Sequence, residues 1–208
     1  MSTCCPPNLK NGSTYDLAVI GAGSAGFSAA ITAAEQGANV ALIGHGTIGG
    51  TCVNVGCVPS KTMIRAAEAL HGARAAERFP GLAGDARVDD WRRLLAAKDE
   101  LVSTLRQKKY ADLLPEYNNI TYLEGAARLN GASVVVDGAA IEAGETIIAT
   151  GGRPSVPPIP GIDKVNYLTS TTLLELKELP ESLIVIGGGY FGAELAQMMA
   201  RMGVLVTV

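Results

Sequence analysis

Two glycine-patterned turns, Gly21-Ala22-Gly23-Ser24-Ala25-Gly26 and Gly187-Gly188-Gly189-Tyr190-Phe191-Gly192, restrict what this 208-residue chain can fold into more than any other feature. Each follows a short apolar run, residues 17–20 and 183–186, and each opens a helical pattern that ends near Gln36 and Met202 respectively. A second apolar run comes next in both cases, at residues 40–43 and 204–208. Strand, glycine turn, helix and strand in that order begin a dinucleotide-binding unit. The glycines allow the tight turn, the close approach of backbone to a pyrophosphate and the close packing of helix on strand. The helix N-terminus then faces the anion. One such turn is a weak signal; two in the same context predict an α/β chain with two Rossmann-like units and two dinucleotides.

A composition of 48% hydrophobic and 18% charged residues suits a globular chain with a core and excludes disorder as its main state. Seventeen basic against twenty acidic side chains leave a net charge of −3, so no overall positive field draws the chain to nucleic acid or anionic lipid. Small molecules or proteins are the expected partners. Residues 17–34 carry no charge over a bilayer-spanning length, but Gly21, Gly23 and Gly26 interrupt them and no basic region precedes them. Neither a span nor a signal peptide is therefore expected, and a cytoplasmic location follows.

Residues 1–14 are rich in Pro, Asn, Gly and Ser and read as a flexible leader, with the fold beginning near Tyr15. Helical patterns over 59–76 and 89–114 predict a helical hairpin, the second helix placing Trp91, Leu94, Leu95, Val102 and Leu105 near one face. Residues 120–123, 133–136 and 146–149 read as strands, with Asn130-Gly131 and Asp137-Gly138 as turn signals, so a small antiparallel sheet is expected there. The Gly/Pro cluster from Gly151 to Gly161 marks a connector. These boundaries predict a three-layer first domain with a small antiparallel sheet over 15–152, and a connector with an incomplete second unit over 153–208. The second unit stops before its sheet would be complete, so the chain reads as part of a longer protein.

Four cysteines are too few for a disulfide scaffold in a chain of this length. Cys52 and Cys57, five residues apart among Gly49, Gly50 and Gly56, form a close pair whose chemistry is redox or metal binding in a reducing compartment. Lys61 follows the pair, and Glu194 in the helix opening the second unit is a candidate ion-pair partner for it. His45 and His71 lack spaced partners, and a surface role is expected for both. Cys4 and Cys5 are adjacent thiols that suit a soft metal in a labile site.

The run Gly49-Gly50-Thr51-Cys52-Val53-Asn54-Val55-Gly56-Cys57-Val58-Pro59-Ser60-Lys61 resembles the redox-active signature of the pyridine nucleotide-disulfide oxidoreductases. With Thr47-Ile48 before it and Met63-Ile64-Arg65-Ala66-Ala67 after it, it is most similar to the branch of that family that reduces Hg(II). The resemblance extends over residues 15–208. It implies an FAD-binding domain, then the start of an NAD(P)H-binding domain, with a C-terminal dimerisation domain outside this chain and a homodimeric parent. It places Gly21, Gly23, Gly26, Gly46, Gly50, Thr51, Lys61, Ala127, Thr150 and Gly151 along FAD. Gly187, Gly189 and Gly192 would face the pyrophosphate of NADPH or NADH, and Tyr190 would cover the flavin until the nicotinamide arrives. Cys57 would be the sulfur against the flavin and Cys52 the exchanging one. The substrate would be Hg(II), a soft cation delivered as small thiol complexes and held by Cys52 and Cys57. A disulfide or dihydrolipoamide substrate, or a thiol module binding soft metal without turnover, are the alternatives. One departure stands out: the family carries an acidic residue for the FAD ribose after the second strand, and this chain has Gly44 there, followed by His45. Weaker FAD binding is the expectation.

Overall fold

A computed structural model describes residues 14–131 and 133–208. The proposed leader therefore lies outside the described residues except for Thr14, which already belongs to a strand, and Cys4 and Cys5 lie outside them too. In chain order the elements are β1 (Thr14–Ile20), α1 (Ser24–Glu35), β2 (Val40–Gly44), α2 (Gly50–Asn54), α3 (Cys57–Arg74), α4 (Trp91–Arg106), β3 (Ile120–Glu124), β4 (Ala127–Asn130), β5 (Ser133–Val136) and β6 (Ala139–Ile148). They are followed by α5 (Ser170–Leu173), β7 (Ser182–Ile184), α6 (Tyr190–Arg201) and β8 (Leu205–Thr207). The class is α/β, as the glycine turns imply.

The chain divides into two compact units, 14–54 with 103–153, and 55–102 with 154–208. The last of these junctions falls at the start of the Gly/Pro connector. Residues 55–102 cluster with the second glycine turn, whereas the sequence pattern groups them with the first.

The first unit is a six-stranded sheet in the order β3-β2-β1-β6-β5-β4. Its first four strands are parallel, and β5 and β4 join antiparallel. The long strand β6 serves both parts: Ala139 to Ile141 pair with β5, and Glu142 to Ile148 run parallel to β1. Val134, Val136 and Ile141 share one apolar cluster with Tyr15, Ala18, Ile20, Ala41, Ile43 and Leu123, so the antiparallel end covers one face of the parallel part. Phe27, Ala30 and Ala34 of α1 are buried towards the other face, which makes the three layers expected. Parallel strands covered on both faces read as unbroken apolar runs, and residues 40–43 are buried at every position. β4 and most of β6 were not legible as strands, because Ala139-Ala140-Ile141-Glu142-Ala143-Gly144-Glu145 has low β propensity and is held by pairing with β1 and β5.

The helix expected over 89–114 is shorter. α4 ends at Arg106, a π-helical turn follows over Gln107–Ala111, and a 3-10 turn over Leu114–Glu116 contains Pro115, which has no N–H to extend a helix.

In the second unit Met63 and Ala67 of α3, Trp91 and Leu95 of α4, and Leu195, Met198 and Met199 of α6 form one core. The main partner of α3 is α6 rather than the α4 of the expected hairpin. β7 and β8 pair in parallel, as a strand–turn–helix–strand unit requires. No helix among the described residues is long and apolar enough to cross a membrane.

Candidate functional site

In the first unit the turn after β1 is enclosed by backbone. Gly21 has φ +120°, its N–H donates to the Ile43 carbonyl at 2.8 Å, and a Cβ on it would run into the Ala149 carbonyl. Ala149 donates back to Ile20 at 2.7 Å, so Thr150 and Gly151 leave β6 alongside this turn. A Cβ on Gly26 would strike the Gly21 carbonyl, so only glycine lets α1 pack this closely on its own entry turn. Gly23 is the N-cap of α1, no side chain caps it, and the first turn has no acidic residue. The first N–H groups of α1 are thus left to an outside acceptor.

A second glycine loop abuts the first. Gly49 donates to the Ala22 carbonyl at 2.9 Å and forms a parallel bridge with Gly23. Gly50 has φ +66°, and a Cβ there would lie 2.6 Å from the Gly23 Cα. This loop starts α2, which carries exposed Thr51 and half-buried Cys52. Asn54 fastens α2 to its loop, donating from Nδ2 to the carbonyls of Ile48 at 2.9 Å and Gly50 at 2.8 Å. Arg106 Nη1 donates to Asn54 Oδ1 at 3.1 Å. Tyr110, turned inward by the π turn, is within hydrogen-bond distance of Ser24 Oγ at 3.0 Å and meets the Phe27 ring edge-on at 4.9 Å. Sequence reasoning missed Asn54, Arg106 and Tyr110, because a π turn carries no sequence signal by which to foresee that Tyr110 points inward.

The structure therefore brings Gly21, Gly23, Gly26, Gly50 and Thr150 together. Gly46 (φ +77°) and Gly151 (φ +72°) lie in open loop, with nothing within 4 Å of a would-be Cβ. Ala127 is half-buried at the start of β4. A floor without side chains beside an uncapped helix N-terminus fits the pyrophosphate of a dinucleotide such as FAD.

In the second unit Cys57 is the first residue of α3 and its side chain is exposed, with the Ser60 hydroxyl bonded to its carbonyl at 3.3 Å. One turn on, Lys61 Nζ meets Glu194 Oε2 of α6 at 2.5 Å, so the expected ion pair forms, half-exposed at 54% and 43%. Gly187 has φ +110°, and a Cβ on Gly192 would strike the Gly187 carbonyl group. Gly189 caps α6 without a side-chain bond, which repeats the uncapped helix N-terminus of the first unit. Tyr190 is 75% exposed and packs on Phe191 at 4.6 Å. Among the described residues no group of three or more His, Cys, Asp or Glu side chains is placed to hold a metal ion.

Residues 15–208 match the pattern of the pyridine nucleotide-disulphide oxidoreductases, and the chain belongs to that family. It is 48% identical over 206 residues to a mercuric reductase of Streptomyces lividans, covering 93% of this chain and 42% of that protein. It is 50% identical over 201 residues to a mercuric reductase of Lysinibacillus sphaericus, covering 96% of this chain and 36% of that one. Among solved structures, the HOCl-induced flavoprotein disulfide reductase RclA of Escherichia coli in its Cu(II) complex is similar with a TM-score of 0.79 and 36% identity, over 94% of this chain and 42% of that one. The chain thus spans less than half the length of these relatives.

Proposed function

We propose that the parent protein reduces Hg(II) to Hg(0) with NADPH, using FAD and the Cys52–Cys57 pair, as a cytoplasmic homodimer that detoxifies mercury. The observation that carries this reading is the unbroken run from Gly49 to Lys61, whose first residues Gly49 and Gly50 lie against the first glycine turn, in a chain about half identical to mercuric reductases. FAD bound along Gly21, Gly23, Gly26, Gly46, Gly50, Thr51, Ala127, Thr150 and Gly151 would supply two-electron transfer between the nicotinamide and the cysteines.

The chain's own residues supply the rest. The second turn, Gly187 to Gly192, takes the pyrophosphate of NADPH, and the exposed ring of Tyr190 swings aside as the nicotinamide enters. Cys52 and Cys57 cycle between a disulfide and two thiolates, gaining two electrons as the S–S bond breaks. The two thiolates bind Hg(II) as it leaves its small thiol ligands, because soft sulfur suits a soft cation. Lys61, oriented by Glu194, keeps a positive charge near the electron path. Two electrons from NADPH balance the change from Hg(II) to Hg(0), leaving NADP+ and a proton.

A second reading, reduction of a disulfide substrate, draws support from the likeness to the flavoprotein disulfide reductase RclA. NADPH oxidation by the full-length protein, with Hg(II) in excess thiol, oxidised glutathione and lipoamide offered in parallel, separates the two. Rapid oxidation with Hg(II) alone is expected. Turnover with a disulfide and none with Hg(II) would move the function to the second reading and leave the electron path in place.

A further inference from the structure

At the end of β2, where a dinucleotide-binding unit ordinarily presents an acidic side chain to the adenosine ribose, this chain has Gly44. The position has no room for that side chain. A Cβ on Gly44 would lie 2.8 Å from the Ala22 Cβ and 2.9 Å from Tyr122 Cε2, and closer still to the Tyr122 hydroxyl. The phenol of Tyr122 therefore occupies the space an acidic residue at 44 would use, beside the Gly21 turn. Leu42 pairs with Tyr122 and Gly44 with Glu124, so Tyr122 and Glu124 emerge on the face to which a side chain at 44 would point. Among the described residues the Tyr122 hydroxyl has no hydrogen-bond partner, although the ring is half-buried.

We infer that the Tyr122 hydroxyl, with the Glu124 carboxylate on the same strand face, binds the 2′,3′-diol of the adenosine ribose in place of the acidic side chain that position 44 lacks. The chemistry is equivalent. A ribose diol needs an acceptor for its hydroxyl protons, and a carboxylate two residues along from a phenol supplies one, while the phenol both donates and accepts. Burial, with the nearby Glu124 charge adding to it, holds the Tyr122 hydroxyl above its ordinary titration range, so it remains a donor at any working pH. The weaker ribose hold expected from Gly44 alone is thereby offset from the neighbouring strand.

This inference rests on the reading that the Gly21 unit holds FAD. The test uses the full-length protein freed of flavin, titrated with FAD and with FMN, which lacks the adenosine half, by flavin fluorescence. Tyr122→Phe and Glu124→Gln should each weaken FAD binding roughly three- to tenfold, the range for one hydrogen bond, and leave FMN binding unchanged. Gly44→Glu combined with Tyr122→Val and Ala22→Gly, which clears both side chains crowding position 44, should return FAD binding to within about twofold of the starting protein, because it restores the ordinary arrangement. Unchanged FAD binding in both single variants would overturn the inference while leaving the FAD reading standing. Failure of the starting protein to bind either flavin would overturn the FAD reading itself, and the inference with it.

Discussion

Among the described residues the Gly21 turn is walled in by other backbone, whereas none encloses the Gly187 turn. A Cβ on Gly21 would meet Ala149, one on Gly23 would approach the Gly50 Cα at 3.4 Å, and one on Gly50 would come within 2.6 Å of the Gly23 Cα. At Gly187, Gly188 and Gly189 nothing lies within 4 Å. Only the last glycine behaves alike in both, because Gly26 and Gly192 each press on the carbonyl of their own turn's first glycine. The same six-residue pattern thus answers two demands. The turn itself requires its last glycine, and neighbouring elements decide how much the others matter.

The largest expected effect tests the shared demand. Gly26→Ala and Gly192→Ala should each cost about 3 kcal/mol or more, since a methyl cannot coexist with a backbone carbonyl at that position. Thermal unfolding of both variants measures this. A tolerated Gly192→Ala beside a destroyed Gly26→Ala would show that the last glycine also depends on its neighbours.

The contrast between the turns predicts the next effect. Gly50→Ala should cost roughly 1–3 kcal/mol and release flavin, because it combines a positive φ with a backbone collision. Gly188→Ala in this 208-residue chain, where no described atom meets the added methyl, should stay within about 0.5 kcal/mol. Equal losses at the two positions would erase the distinction drawn between the turns.

The units also differ in which side chains reach main-chain carbonyls. In the first they are short asparagines: Asn54 Nδ2 donates to the Ile48 and Gly50 carbonyls, and Asn119 Nδ2 to those of Ala34 and Ala38. In the second, long side chains reach loops and helix ends. Arg74 donates to Ala86 O at 2.7 Å and to Arg201 O at 3.1 Å, Trp91 Nε1 to Leu176 O at 2.8 Å, and buried Lys98 Nζ to Leu174 O at 3.0 Å. Buried carbonyls need partners, and where no backbone N–H reaches them a side chain must. Lys98→Met should therefore destabilise the protein by about 1–3 kcal/mol, the cost of leaving an acceptor unpaired in a core otherwise well filled by methionine. Chemical denaturation checks it, and a neutral outcome would mean that water reaches Leu174 once the ammonium is gone.

Much of this was legible in the sequence, and the missing parts share a cause. The apolar runs at 17–20 and 40–43 and the two glycine turns carry local signals, and the structure has each of them, while the Lys61–Glu194 pair, 133 residues apart, was foreseeable only as a candidate and through the family resemblance. What escaped depends on contacts between residues far apart in sequence. β6 is a strand because β1 and β5 flank it, and Tyr110 reaches Ser24 because a π turn re-aims it. Gly44 was visible as a departure, but its compensation at Tyr122 was not, since only strand register puts position 122 next to 44.

The smallest stability effect separates holding from function. The Lys61–Glu194 pair links α3 to α6 at 2.5 Å, yet both side chains remain about half in water. An exposed pair of that kind contributes about 0–1 kcal/mol, because solvent screens the attraction and two long side chains lose freedom to make it. Lys61→Gln should thus shift the unfolding midpoint very little. Under the proposed electron path the same change should slow reduction of the cysteine pair by NADPH, because the positive charge beside that path is gone. Stopped-flow reduction of the full-length protein measures that rate directly. Glu194→Gln keeps the charge and loses only its orientation, so it should slow the step less than Lys61→Gln. If both variants reduce at the original rate, the pair joins two helices and takes no part in the chemistry.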